Sequence, residues 1–216
     1  HPVFDMAADD FGNLWAATGG GPLLLLDAQT AELIGEYGEG ITQSVAVSPD
    51  GRQVFVSTDR GIEVFDPTTE SFELFSSQRV GNLRFDDDGR LWAAQWPNRG
   101  SILRFDPAGD AELVATLPVA VDSLAFGTSE SPFQGLLFVS SNYGRTTTSA
   151  GSIIVLELAS FNWTTIASDG TRGDILHSMS DGRLLISQTN QVDVLSPLLP
   201  PAVAFTNPPA ESSRLL

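Results

Sequence analysis

The sequence predicts an all-β protein, a five-bladed β-propeller of four-stranded antiparallel blades. Three observations predict it. One phrase recurs as DDFGNLWAA (9–17), SPDGRQVFVS (48–57), DDDGRLWAA (86–94), PFQGLLFVS (132–140) and MSDGRLLIS (179–187). Its glycines, Gly12, Gly51, Gly89, Gly135 and Gly182, stand 39, 38, 46 and 47 residues apart, which is the length of one propeller blade. A second phrase keeps step, as LLLLDAQT, IEVFDPTT, ILRFDPAG, IIVLELAS and VDVLSPLL, whose strand-forming runs end at Asp27, Asp66, Asp106, Glu157 and Ser196. The third observation is that helix signals are almost absent.

The second copy shows why each element forms. QSVAVS is an inner strand, PDG a turn, RQVFVS the second strand, TDRG a loop, IEVF the third strand, DPTT a turn and SFELFS the outer strand. The strands are rich in β-branched and aromatic residues, and the turns carry Pro, Asp and Gly, as hairpins with a glycine at positive φ require. The same order in every copy places the blades at 1–40, 41–78, 79–118, 119–171 and 172–206. Residues 207–216 are a tail or linker. The chain starts on an innermost strand and ends on an outermost one, AVAFT, so no strand exchange between first and last blades is expected to close the ring. In DDDGRLWAA, Asp88 and Gly89 are expected to make the hairpin, with Asp86 and Asp87 facing water.

Composition narrows the partners. The 216 residues are 42% hydrophobic and carry a formal charge of −16, enough apolar matter for one domain. The charge opposes nucleic acid and anionic membrane surfaces. With no cysteine in the chain, disulfides and thiolate metal sites are impossible. The longest apolar run, around Leu23 to Leu26, is too short to span a bilayer. A start at His1 fits a processed or excised domain.

DDFGNLWAATGGG, DDDGRLWAAQWPNRGSILRFDP and VSPDGRQVFVSTDRGIEVFDPTT resemble the repeats of several propeller groups. These are the streptogramin lyase and gluconolactonase-like (SMP-30) superfamily, the NHL repeats, and the sensor propellers of bacterial two-component regulators. The gluconolactonase-like resemblance implies a divalent cation at the mouth of the channel, held by acidic and amide groups where inner strands begin. On this chain the matching positions are Asp5, Asn82, Asp122 and Asp174, with Gln43 or Ser44 beside them, and calcium or magnesium is the cation that such oxygen ligands would take. The competing reading is that these are polar groups solvated in a wet channel. The streptogramin-lyase resemblance implies histidine chemistry, for which this chain offers only His177 on an inner strand. Those enzyme families have six and seven blades, against five here. The proline-rich end after Ser196 also looks like the opening of the immunoglobulin-like repeats of bacterial surface proteins.

Loop length gives a second candidate site. Loops joining second to third strands share a face with the beginnings of the inner strands, and two of them, QWPNRGS (95–101) and SNYGRTTTSAG (141–151), exceed what a hairpin needs. They carry Trp96, Asn98, Arg99, Tyr143 and Arg145. Aromatic and arginine side chains on exposed loops are common binding anchors. Trp15 and Trp92 recur at one repeat position and are expected in the core. Asn162 begins an N-glycosylation acceptor triplet, relevant only in a secreted eukaryotic protein.

The expected function is therefore a non-catalytic binding or interaction propeller, a module of a larger extracellular, cell-surface or periplasmic protein, with a protein or small-molecule ligand. Self-association through blade edges is open to it. A metal-dependent lactonase-type hydrolase and a bacterial sensor propeller are the alternatives.

Overall fold

The structure is a computed structural model, and it describes residues 2–97, 100–129, 131–141, 151–170, 175–188 and 190–197. Among these residues every regular element is a strand, eighteen in all, and every strand pairing is antiparallel. Among the described residues no helix is long and apolar enough to cross a membrane.

The first two repeat units form one seven-stranded sheet in chain order: β1 (Asp5–Ala8), β2 (Asn13–Ala17), β3 (Gly21–Asp27), β4 (Leu33–Val47), β5 (Val54–Thr58), β6 (Gly61–Asp66) and β7 (Ser71–Ser76). They merge because β4 is fifteen residues long; Leu33 to Ile41 pairs with β3 and Ile41 to Val47 with β5. The third unit is a four-stranded sheet of β8 (Val80–Phe85), β9 (Leu91–Gln95), β10 (Ser101–Phe105) and β11 (Ala111–Thr116). The fourth comprises β12 (Val121–Phe126), β13 (Leu136–Ser141), β14 (Gly151–Glu157) and β15 (Trp163–Gly170). The fifth shows three described strands, β16 (Leu176–Ser178), β17 (Leu184–Ser187) and β18 (Val192–Leu195). The expected outer strand AVAFT lies outside the described residues.

The repeat glycines do what the turn chemistry demands. Gly12, Gly51, Gly89, Gly135 and Gly182 all have φ between 69° and 87°, a region that costs any residue with a Cβ. At the turn between third and outer strands the same handedness recurs at Ala31, Glu70 and Phe161, with φ of 58°, 52° and 56°, and at Gly109.

One expectation at the turns needs correcting. Asp87 is exposed, but Asp86 faces inward: its carboxylate accepts from the Arg90 N–H at 2.8 Å and from the Trp92 indole N–H at 2.7 Å. Asp9 holds Asn13 and the Trp15 indole in the same way, at 2.9 and 3.0 Å. A buried indole N–H needs an acceptor, and the first aspartate of the turn supplies it. Burial raises the pKa of Asp9, but its bonds from Asn13, Trp15 and Phe11 outweigh that and hold it below the usual value.

Each unit turns a back face to the unit before it and a front face to the unit after it, because strand side chains alternate. Four apolar layers result. Trp15 and Leu23 of the first unit pack on Val45, Val56 and Phe65 of the second. Ala46 and Phe55 pack on Leu83, Leu103 and Phe105. Trp92 and Ile102 meet Leu124, Leu137 and Ile154, and Ala125 and Phe138 meet Leu176 and Leu184. The inner strands β1, β4, β8, β12 and β16 make contact in that order, and their polar first residues converge.

Candidate functional site

The inner strands align on their apolar cores as DMAA (5–8), SVAV (44–47), NLRF (82–85), SLAF (123–126) and ILHS (175–178). In β8 and β12 a register shift immediately precedes the first residue of this alignment, and in β4 the shift runs from Ile41 to Val45 and takes in Ser44. Such bulges re-aim the side chain that follows them. Ser44, Asn82 and Ser123, together with Asp5 on the regular strand β1, are buried at equivalent positions.

Each of these side chains reaches to the next inner strand. The Leu83 N–H donates to Ser44 Oγ at 2.9 Å, the Leu124 N–H to Asn82 Oδ1 at 3.0 Å, and the Leu176 N–H to Ser123 Oγ at 3.1 Å. The Val45 N–H lies 3.4 Å from Asp5 Oδ2. An unpaired buried N–H costs about 1–3 kcal/mol, so this relay satisfies backbone groups where neighbouring sheets would otherwise leave them without partners. In the fifth unit the equivalent residue is Ile175, which has no side-chain acceptor, and the relay stops. Met6, the counterpart of Val45 in the first unit, donates its N–H back to Asp5 Oδ1 at 3.0 Å.

Two places further along the inner strands stand Ala7, Ala46, Arg84, Ala125 and His177. The small side chains leave Arg84 room to reach from the third unit to the first. Its Nη1 donates to Asp5 Oδ2 at 2.8 Å and its Nη2 to Asp5 Oδ1 at 2.9 Å. This is a two-pronged pair, the strong form of the contact. Ser44 Oγ adds a 2.5 Å bond to the same carboxylate, while Nη1 also donates to the Leu83 carbonyl at 2.7 Å. Burial pulls the Arg84 pKa down, yet Asp5 more than offsets it and the net shift is upward. His177 lies within reach of both charges. His177 is exposed, yet partial desolvation beside the neighbouring strands and then Arg84 hold its pKa below 6.5, with Asp5 opposing them.

The residues assigned to a cation by resemblance are thus placed as follows. Asp5 and Asn82 share one ring, where Asp5 is paired with Arg84. On β12 the ring member is Ser123; Asp122 falls one residue earlier, at the bulge. Asp174 lies outside the described residues. Among the described residues no three His, Cys, Asp or Glu side chains are grouped to hold a metal.

Of the loop residues, Trp96 is described. Its N–H donates to the Arg79 carbonyl at 3.1 Å, at the start of β8. A Cβ built on Gly81 would lie 3.5 Å from the Trp96 ring and 3.3 Å from Gln43 Oε1. The half-buried indole therefore covers a glycine where an inner strand begins. The Trp96–Pro97 peptide is cis. Asn98, Arg99, Tyr143 and Arg145 lie outside the described residues. A cavity of about 250 Å³ opens between the fourth and fifth units, with Ser141, Ser152, Gln188 and Asp193 in its lining. Trp15 and Trp92 are in the core as expected. Sequence reasoning missed Arg84 and Ser123. The signal for both was the aligned inner strands, where one arginine interrupts a column of alanines.

No family model and no curated protein matches this chain. Solved structures do. The chain is similar to the extracellular domain of a protein described as the hybrid two component system BT4673 from B. thetaiotaomicron, at 12% identity and a TM-score of 0.61, covering 90% of this chain and 26% of that one. The corresponding domain of BT3049 from the same organism gives 15%, 0.62, 90% and 28%. The β-propeller domain of Swd1 from Myceliophteria thermophila gives 13%, 0.60, 94% and 67%. The chain thus spans about a quarter of the length of the sensor chains. At these identities the likeness carries the fold and nothing finer: this is an all-β protein of successive antiparallel sheets, built like β-propeller domains.

Proposed function

We propose that the chain is a non-catalytic binding or interaction module, a five-bladed propeller over residues 1–206, that takes its partner on the face where the inner strands begin. One observation carries this reading. In the channel Asp5, Ser44, Asn82, Arg84 and Ser123 are bonded to one another or to backbone N–H groups, whereas the Trp96 indole stands half-buried at the mouth above Gly81. A polar group committed to holding neighbouring sheets together is poorly placed to do acid–base work. A large amphipathic ring on a long loop suits recognition. The likeness to extracellular sensor domains supports a ligand met outside the cytoplasm, protein or small molecule.

The test is a thermal-shift screen against oligosaccharides, amino acids and short peptides, repeated with Trp96→Ala and with Tyr143→Ala. A ligand that raises the melting temperature of the wild type should lose its effect in Trp96→Ala, whose own melt stays within a few degrees of the parent. Ligands that survive Trp96→Ala but vanish in Asp5→Asn would move the site into the channel and contradict the proposal.

A further inference from the structure

The four apolar layers join five units, and among the described residues one back face and one front face have no counterpart in those layers. On the back face of the first unit Met6 is 52% exposed, while its counterparts Val45, Leu83, Leu124 and Leu176 are each 0% exposed. Leu14 and Leu26 on that face are only half-buried. Their counterparts in the second to fourth units, such as Val54 and Leu137 or Phe65 and Leu156, are fully buried. On the front face of the fifth unit Leu185 is half-buried where Trp15, Phe55, Trp92 and Phe138 are buried. Beside it Val194 is 51% exposed and Val192 more so.

These two faces are the two halves of a contact the chain already makes four times, always front face on back face. We propose that they meet between copies: the Leu185, Val192 and Val194 face of one chain packs on the Met6, Leu14 and Leu26 face of a second. The occupant is a second copy because the two faces carry the same front and back positions that already pack on each other in the four interior layers, so the contact continues those layers. A front-on-back contact is heterologous, so it closes into a ring or runs on as a chain. The net charge of −16 opposes the approach, and salt screens that repulsion, so assembly strengthens as ionic strength rises. This surface is separate from the Trp96 mouth, and its failure would leave the binding proposal untouched.

Sedimentation velocity across a concentration series, at low and high salt, tests it. Wild type should assemble with rising concentration, more readily in high salt. Met6→Lys and Val194→Lys, both at exposed positions, should each keep the parent's melting temperature and weaken assembly by about tenfold or more. A mixture of the two variants retains one good front face and one good back face, and should give dimers that neither variant forms alone. Wild type that stays monomeric throughout, assembly that both lysines leave intact, or a mixture that fails to pair would each overturn the proposal.

Discussion

Asp5 is a buried carboxylate 2% exposed, and its worth depends on Arg84. Removing one partner of a buried ion pair leaves the other charge uncompensated, at about 3–5 kcal/mol. Arg84→Ala should therefore lower the unfolding free energy by about that amount in urea titrations. His177 has the opposite relation to its charged neighbours. Its folded pKa lies below 6.5, so the unfolded chain binds its proton first and protonation favours unfolding. Stability is full above the unfolded pKa and falls as pH drops below about 6.5. His177→Gln should flatten the pH dependence of the melting temperature in that window, and a wild-type imidazole titrating above 6.5 by NMR would contradict this. Neither role could be read from one residue's neighbours in sequence. Arg84 sits in an ordinary strand, NLRF, and meets Asp5 across 79 positions of chain.

At the scale of elements the repeats were legible because turns are local. Positive φ at the five repeat glycines follows from a two-strand hairpin and needs no tertiary information. Asp86 was misjudged because its acceptor role depends on an indole six residues on, brought back only when the hairpin forms. Asp86→Ala should cost about 1–2 kcal/mol by leaving the Trp92 N–H without its partner, and Trp92→Phe should make that loss disappear in a double-mutant cycle. The outer turns carry strain of their own. Ala31 at φ of 58° occupies a region that disfavours any Cβ by about 1–2 kcal/mol, so Ala31→Gly should stabilise by a few tenths to about 1 kcal/mol after the entropy cost of glycine. A melt unchanged or lowered would show that the turn is relaxed by its surroundings.

For the whole molecule, period and alternation were enough to read an all-β repeat of antiparallel sheets, because each unit must bury both faces and the hydrophobic pattern records it. The site was less legible. On β12 the register shifts between Val121 and Ser123, so the buried ring position is held by Ser123 with Asp122 one residue earlier, an offset that the sequence does not display. Asn82 and Asp5 were found because their polarity is conspicuous in an apolar strand; the reason for it, a relay of side chains to the next strand's backbone, emerges only when the sheets lie side by side. That relay and the Asp5–Arg84 pair fasten the successive units to one another where their inner strands meet. A double-mutant cycle of Asp5→Asn and Arg84→Met, followed by urea unfolding in chelator-treated protein with and without added calcium, tests this most directly. A coupling free energy of about 2–3 kcal/mol, the same in both conditions, is the predicted result. Coupling within about 0.5 kcal/mol of zero, or calcium stabilisation that Asp5→Asn abolishes, would contradict it.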